Sequence, residues 1–241
     1  HNEQALRILT KIERRYPRFD GLNLTFETID GIIKHNGPLR GKPTPLLLNL
    51  KDSMKLNFRT FGTGEAQLAA IADDIAYNAH DIDDGLRAQI FKINDLEKLS
   101  LVSPLISRIK ADFGSIEESR FISEVVRTIV NKLVADILAE TANRLQKIRP
   151  LDPEDIMNAE QPIVSFSKEL TPKIQQLRKF LFAKMYRHYK VNRMASKAKR
   201  VISELFNLFM EEPIVLPDEW RYLDKEDLKN NQARLISDYI A

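Results

Sequence analysis

The sequence contains no cysteine, few glycines and prolines, and no apolar run long enough to span a membrane. Without cysteine, a disulfide framework, a zinc finger and a thiolate nucleophile are excluded. Eight glycines and eleven prolines in 241 residues leave long stretches without helix breakers. This composition favours an all-α protein and suits a cytoplasmic one without a membrane partner.

Glycine-rich phosphate-binding motifs are also missing from the chain. We find no Walker loop, no Rossmann glycine pattern and no nucleophile elbow, which argues against phosphate binding by a glycine-rich loop. The charge is nearly balanced, with 37 basic and 34 acidic residues and a net charge of +3. That balance does not require nucleic acid as a partner.

The length and the hydrophobic share of 43% are sufficient for a proper core. Apolar residues recur with helical spacing along the chain, and they predict long helices over residues 65–91 and 116–148, with a C-terminal helix from about Lys225. We expect residues 1–241 to form a single all-helical unit. Because the chain opens on His1 and not on Met, we also expect it to be a fragment of a longer protein.

Residues 38–64 are the least regular part of the chain. They hold three prolines, three glycines and five basic residues against a single acid, Asp52. This pattern predicts a surface loop. A mobile flap over an anionic ligand is the functional alternative, and the two interpretations are compatible.

The helix predicted over residues 65–91 separates apolar from polar side chains. At about 100° per residue, one arc is apolar and carries Leu68, Ile71, Ile75, Ala79, Ile82 and Leu86. The opposite arc carries Asp73, Tyr77, His80, Asp81 and Asp84. The apolar arc is expected to face the core, and the polar arc to lie outside it.

Two interpretations of the polar arc are open. It is either a solvated outer face or a binding face. A stable exposed helix usually places Lys or Arg four residues after its acids, yet here only Asp83 has such a partner, Arg87. Carboxylates on successive turns repel each other, and a bound cation would relieve that repulsion.

The stretch ADDIAYNAHDIDDGL resembles the signature helix of the HD-domain deoxynucleoside triphosphate triphosphohydrolases, the dGTPase-like family. That helix carries Asp-x-x-x-Tyr-x-x-x-Asp, which falls here on Asp73, Tyr77 and Asp81. HNEQALRI, RYPRFDGLNLTFETIDGIIKHNGP and FLFAKMYRHYKV resemble further family motifs, so the resemblance spans nearly the whole chain. It implies an HD-domain-like helical body, with residues 1–91 as the remainder of the catalytic core and 92–241 as a helical C-terminal part.

The resemblance also implies roles for individual residues. Asp73 would be the last ligand of a divalent metal ion such as Mg²⁺ or Mn²⁺, and Tyr77 and Asp81 would contact the nucleotide sugar. The residues expected near the phosphates are Lys34, Arg187 and His1. The family's first His and its His-Asp doublet map upstream of His1, so the catalytic residues are expected outside this sequence.

The implied function is metal-dependent hydrolysis of a deoxynucleoside triphosphate such as dGTP to the deoxynucleoside and tripolyphosphate, in a homo-oligomer. With one metal ligand in its sequence, this stretch is expected to be inactive alone. The first alternative is a non-catalytic nucleotide-binding or regulatory helical protein. The second is a structural interaction module whose acidic face is solvated.

Overall fold

A computed structural model describes residues 2–221 and 225–241 of the chain. The described residues form helices and no β-strand, apart from one isolated bridge between Tyr16 and Phe19. The predicted all-α class is therefore confirmed. None of the described helices is both long and apolar enough to cross a membrane.

The helices differ widely in length, and three short segments of π- or 3-10-helix adjoin them. In chain order, the α-helices are α1 (Asn2–Arg7), α2 (Phe26–Ile33), α3 (Pro45–Met54), α4 (Gly64–Arg87), α5 (Ile93–Leu96), α6 (Ser103–Phe113), α7 (Glu118–Ile148), α8 (Pro153–Met157), α9 (Leu170–Leu181), α10 (Tyr189–Glu211), α11 (Asp218–Arg221) and α12 (Lys225–Ile240). The other segments are the π-helices Ile8–Ile12 and Phe182–Tyr186 and the 3-10 turn Pro213–Val215. The long predicted helices correspond to α4 and α7, and the predicted C-terminal helix to α12.

The prediction that residues 38–64 form only a loop is wrong, because α3 lies within them. Thr44 caps this helix by accepting a hydrogen bond from the backbone of Leu47 at 3.4 Å. Pro45 follows at the first helical position, where its missing N–H costs nothing. Leu46 and Leu47 are buried, so the helix also has an apolar face that holds it in place.

Contacts group the chain into two compact units. The first comprises Phe26–His188. The second combines the residues up to Thr25 with Tyr189–Ala241. The expected division into residues 1–91 and 92–241 is a different one, and it stays a prediction.

The unit Phe26–His188 has its core where α4, α6, α7 and α9 meet. Fully buried side chains from these helices and their connections include Ile82, Leu96, Val102, Ile106, Val125, Ile129, Leu133, Leu177 and Leu181. Gly85 in the last turn of α4 leaves room for Phe91, because a Cβ there would lie 2.1 Å from a Phe91 ring carbon. This core holds α4 between α7 and α9.

The second unit joins the two ends of the chain. Leu6 of α1 and Ile236 of α12 are both fully buried in it. Asp238 forms an ion pair with Arg7 and accepts a hydrogen bond from the Gln4 side chain at 3.0 Å. The aromatic rings of Phe209 and Tyr239 lie 5.4 Å apart and connect α10 with α12.

The side chain of Gln67, in the first turns of α4, ties this helix to a distant extended segment. Its carbonyl oxygen accepts backbone hydrogen bonds from Ile163 at 2.8 Å and Val164 at 3.2 Å. Its amide donates to the backbone oxygen of Gly62 at 2.9 Å. Ile163 and Val164 are buried, so water cannot readily replace the glutamine.

We predict that Gln67→Ala lowers the free energy of unfolding by about 2–4 kcal/mol, because it leaves buried backbone N–H groups without an acceptor. Chemical denaturation at pH 7 measures this. Gln176→Ala is the matched control, since the Gln176 carbonyl also accepts two hydrogen bonds, both from Ser100, but at an exposed position. Equal losses for the two variants would contradict the structural role of Gln67.

Candidate functional site

Helix α4 buries most of its predicted apolar arc. Ile75, Ile82 and Leu86 are in the core, as predicted. The prediction that Leu68 faces the core is wrong, since its side chain is 49% exposed. It lines an apolar groove that stays open between α4 and Leu138 on α7.

Two acids on α4 find basic partners. Arg87 pairs with Asp83 at 2.8 Å, as the spacing of four residues predicted. Asp74 pairs with Arg178 of α9 at 2.9 Å, and this partner lies 104 residues away in the sequence. The missing intrahelical partner of Asp74 is thus replaced by one from a packed neighbour.

Asp73 is exposed and lies on the wall of a cleft of about 1450 Å³. Helices α2, α4 and α8 contribute to this cleft, which we call the acidic cleft. Among the described residues, its lining includes seven acidic side chains and one lysine, Lys55. The acids are Glu27, Asp30, Glu65, Asp73, Asp74, Asp152 and Glu154. Asp30 and Asp74 are paired with Lys34 and Arg178, and the negative charge that remains favours a cationic occupant or a cation-bound one.

The metal ion implied by the resemblance needs more ligands than Asp73 supplies. A single carboxylate does not hold a catalytic divalent ion, and the set that the resemblance implies takes His and Asp partners besides Asp73. Within residues 2–221 and 225–241, no three His, Cys, Asp or Glu side chains are placed to hold a metal ion together. The described residues therefore do not fit a metal ion on their own.

Asp81 lies two turns beyond Asp73 on α4. The helical spacing placed it on the outer arc, but the residue is only 8% exposed. The Tyr186 hydroxyl, at the end of the π-helix Phe182–Tyr186, donates a hydrogen bond to Asp81 Oδ2. Burial raises the pKa of Asp81, and the hydrogen bond from Tyr186 partly opposes that rise.

Tyr77 lies one turn from both Asp73 and Asp81, and its side chain is 58% exposed. Its ring centroid is 6.4 Å from that of Tyr186, with the two planes tilted by 31°. Burial and hydrogen bonds with Asp81 and Tyr77 raise the pKa of Tyr186, so its hydroxyl stays protonated at neutral pH. The result is a connected group of two phenols and one carboxylate, with Tyr77 accessible to a ligand.

Lys34 is completely buried in an ion pair. Its ammonium lies 2.8 Å from Asp30 Oδ2. It also donates to Thr60 Oγ1 at 2.8 Å and to the backbone oxygen of Phe61 at 3.3 Å. Burial raises the pKa of Asp30, and the nearby Lys34 opposes the rise. A phosphate contact by Lys34, which stays a prediction, would require this ion pair to open.

The remaining predicted residues are placed elsewhere. Arg187 is exposed, and its guanidinium stacks over the Phe182 ring with 4.9 Å between guanidinium carbon and ring centroid. His1 lies outside the described residues, so nothing is added to its prediction. The structure thus brings Asp81 and Tyr77 together with Tyr186, while Lys34 and Arg187 do not line the acidic cleft.

The contact between Tyr186 and Asp81 could not be predicted from the helical pattern. The two residues are 105 positions apart. The one available signal was the stretch FLFAKMYRHYKV, in which Tyr186 directly precedes the predicted Arg187. A π-helical turn there, of a kind often found at functional sites, carries the hydroxyl to α4.

We predict that Tyr186→Phe destabilises the protein by about 1–3 kcal/mol at pH 7, because it leaves the buried Asp81 carboxylate without its donor. The loss should be largest above the raised pKa of Asp81 and should shrink as the pH falls through it, since a neutral carboxyl group costs less to bury. Denaturation between pH 4 and pH 8 measures this.

Tyr16→Phe is the control for the loss of a hydroxyl, because the Tyr16 side chain is half exposed. Its free energy of unfolding should stay close to that of the unchanged protein at every pH. If Tyr186→Phe lowers the free energy of unfolding equally at every pH, the Tyr186 hydroxyl does not act on the charged form of the Asp81 carboxylate.

Comparison with known proteins finds similarity to phosphohydrolases. Residues 164–241 match the phosphohydrolase-associated domain, HD_assoc. The chain is 42% identical over 245 residues to a deoxyguanosinetriphosphate triphosphohydrolase-like protein of Caulobacter sp. (strain K31). It is 43% identical over 247 residues to the protein of that name from Parvibaculum lavamentivorans (strain DS-1).

Both alignments cover 100% of this chain and 62% of the relative. A protein of the same name from Cereibacter sphaeroides (strain ATCC 17025) is 39% identical, with 100% of this chain and 64% of the relative covered. The chain thus spans less than two thirds of the length of these relatives. Over its whole length the chain is thus similar to proteins named dGTPase-like, and its C-terminal part matches the phosphohydrolase-associated domain.

Proposed function

We propose that this chain forms the sugar-binding side of a deoxynucleoside triphosphate triphosphohydrolase, and that the whole protein hydrolyses a substrate such as dGTP to the deoxynucleoside and tripolyphosphate. One observation carries the proposal: the buried Asp81 carboxylate, hydrogen-bonded by Tyr186, next to the accessible ring of Tyr77. The relatives named for dGTP hydrolysis support the same substrate class.

This group suits a deoxyribose for two reasons. The Tyr77 ring is accessible and flat, so a sugar can pack against it. Tyr186 occupies Oδ2 of Asp81, which leaves Oδ1 of the carboxylate as an acceptor for a sugar hydroxyl. A hydrogen bond to a charged acceptor is among the stronger ones, and it fixes the orientation of the ligand.

The divalent metal ion that the resemblance implies is part of the proposal for the whole protein only. Asp73 offers one carboxylate in the acidic cleft, and the described residues do not complete a ligand set. The chain by itself is therefore not proposed to hydrolyse a substrate. The predicted homo-oligomer and cytoplasmic location likewise remain predictions.

The second candidate is a nucleotide-binding or regulatory protein that does not hydrolyse its ligand. It rests on the same group of Asp81, Tyr77 and Tyr186, which can hold a nucleoside without any hydrolytic step. Both candidates use the same sugar contacts. They differ in whether product is formed.

An assay of the full-length protein with dGTP and Mn²⁺ or Mg²⁺ separates the candidates, with products resolved by anion-exchange chromatography. Tripolyphosphate and deoxyguanosine in equal amounts support the hydrolase. We then expect Asp73→Asn to reduce the rate by about 100-fold or more, if Asp73 contributes several kcal/mol of transition-state stabilisation. Asp84→Asn, at an exposed position of the same helix, is the control and should keep the rate.

Other outcomes of the assay are equally informative. Release of orthophosphate as the first product would contradict triphosphohydrolase chemistry. Binding of dGTP that weakens in Asp81→Asn, without any hydrolysis, would support the regulatory alternative. If dGTP is neither hydrolysed nor bound, both candidates are overturned for this chain.

We predict that binding of deoxyguanosine weakens as the pH falls, because protonation removes the charge from the Asp81 acceptor. Since burial raises the pKa of Asp81, the loss should set in above its ordinary value of 3.8. Asp81→Asn should bind about 10-fold or more weakly at pH 7 and show no such pH step. Calorimetric titration between pH 4 and pH 8 measures both effects, and identical pH profiles for the two proteins would exclude Asp81 as the acceptor.

A further inference from the structure

Helix α10 leaves a row of apolar side chains exposed. None of its 23 residues, all of which the structure describes, is buried. Met194 is 61% exposed, Val201 43% and Leu205 38%. Proteins seldom leave a long contiguous apolar surface open to water, and a surface of this kind usually marks a contact with another molecule.

The apolar residues recur with the spacing of a coiled-coil seam. They follow one another at alternating intervals of three and four residues, which keeps them on one narrow side of the helix. From the first to the last, the row extends roughly 26 Å along the helix axis. We call this row the apolar seam, and its members are Val191, Met194, Ala198, Val201, Leu205 and Leu208.

Helix α12 packs beside the apolar seam and leaves it open. Phe209 of α10 makes the ring contact with Tyr239. The Gln232 side chain donates a hydrogen bond to the backbone oxygen of Met210 at 3.1 Å. Neither Phe209 nor Met210 belongs to the seam, and the adjacent Leu208 is still 40% exposed.

The charges beside the seam select the orientation of a partner helix. Lys197 and Glu204 lie on the same flank of the seam, two turns apart. Two copies of α10 can pack antiparallel, with Ala198 of each copy against Val201 of the other. Lys197 then lies opposite Glu204 of the other copy, and the twofold symmetry repeats this ion pair. In a parallel pair, Lys197 would instead face Ile202.

The same antiparallel register matches the rest of the seam. Met194 meets Leu205 of the other copy, so a residue from the first half of the seam always packs on one from the second half. On the flank opposite Lys197, the exposed Ala195 meets the exposed Ile202. One flank of the pair is therefore apolar, and the other carries complementary charges.

We infer that a second copy of this chain covers the apolar seam, in a dimer in which the two α10 helices pack antiparallel. One observation carries the inference: the apolar spacing and the opposite charges agree on a single register. Within one chain Glu204 approaches Arg200 to 4.0 Å, the outer limit of an ion pair, so it can accept a closer partner. A surface that is complementary to itself forms a closed twofold dimer.

The alternative occupant of an amphipathic helix with cations beside its apolar side is an anionic membrane surface. Glu204 and Glu211 lie on the flank of the seam, at the level that lipid headgroups would occupy. Anionic headgroups would repel both carboxylates. In the dimer, by contrast, Glu204 gains a cationic partner.

The mass of the whole 241-residue protein in solution tests the dimer. Analytical ultracentrifugation over a range of concentrations should show a species of twice the 27.8 kDa of one chain. Val201→Glu places a carboxylate in the centre of the seam and should weaken the dimer about 100-fold or more. Val134→Glu on α7 is the matched control, since Val134 is 42% exposed, and it should leave the dimer unchanged.

A charge exchange tests the register. Lys197→Glu sets two carboxylates opposite each other and should weaken the dimer about 10-fold. Lys197→Glu combined with Glu204→Lys restores opposite charges across the interface and should recover most of the affinity. If the combined variant dimerises no better than the single one, the antiparallel register is overturned.

Introduced cysteines test the orientation, because the chain has none of its own. Met194→Cys and Leu205→Cys proteins, mixed and oxidised, should form a disulfide with each other. Each protein alone should not, since identical positions of the two copies lie roughly 16 Å apart along the axis. Disulfides between identical positions would show a parallel pair and overturn the inference.

Circular dichroism confirms that each variant is folded. A protein that stays monomeric at every concentration overturns the inference, and so does a dimer that Val201→Glu leaves intact. Vesicles of phosphatidylglycerol and phosphatidylcholine are tested in parallel. A monomer that binds vesicles would assign the seam to a membrane surface. A monomer that does not bind them would assign it to the part of the longer relatives that this chain does not span, and both results reject the inference.

Discussion

Helix α4 carries five aspartates and yet has to pack against two neighbouring helices, α7 and α9. The rest of the unit Phe26–His188 depends on how these charges are accommodated. Ile75 and Ile82 anchor it in the core. Two of these charges are satisfied from outside the helix, through Arg178 for Asp74 and Tyr186 for Asp81. Both partners come from α9 and the π-helix that follows it. The packing of α9 against α4 therefore also fixes the geometry of the candidate site.

Buried charge is handled in two different ways in this unit. Lys34 and Asp30 neutralise each other, with Thr60 completing the hydrogen bonds of the ammonium. Asp81 instead has a neutral donor, the Tyr186 hydroxyl, so its negative charge is kept. A charge that is kept next to the accessible Tyr77 can act on a ligand, whereas a neutralised pair mainly contributes to structure. This difference is why the proposed sugar contact rests on Asp81 and why Lys34 contributes less to the proposal.

The distribution of charge is more informative than its sum. The acidic cleft carries a strong local excess of acidic side chains, although the net charge of the chain is only +3. A triphosphate brought to the cleft would need compensating positive charge, consistent with the metal ion that the family resemblance implies for the whole protein.

Helix period, capping residues and turn formers were sufficient to predict the all-α class and helices such as α7, because these depend on neighbours in the sequence. Residue motifs around Asp73 were sufficient to indicate the family. The burial of Asp81, the partners of Asp74 and the internal ion pair of Lys34 were decided only by the tertiary structure. The physical reason is distance along the chain: Tyr186 and Arg178 are more than 100 residues from the acids they contact, and no local pattern records which helices pack together.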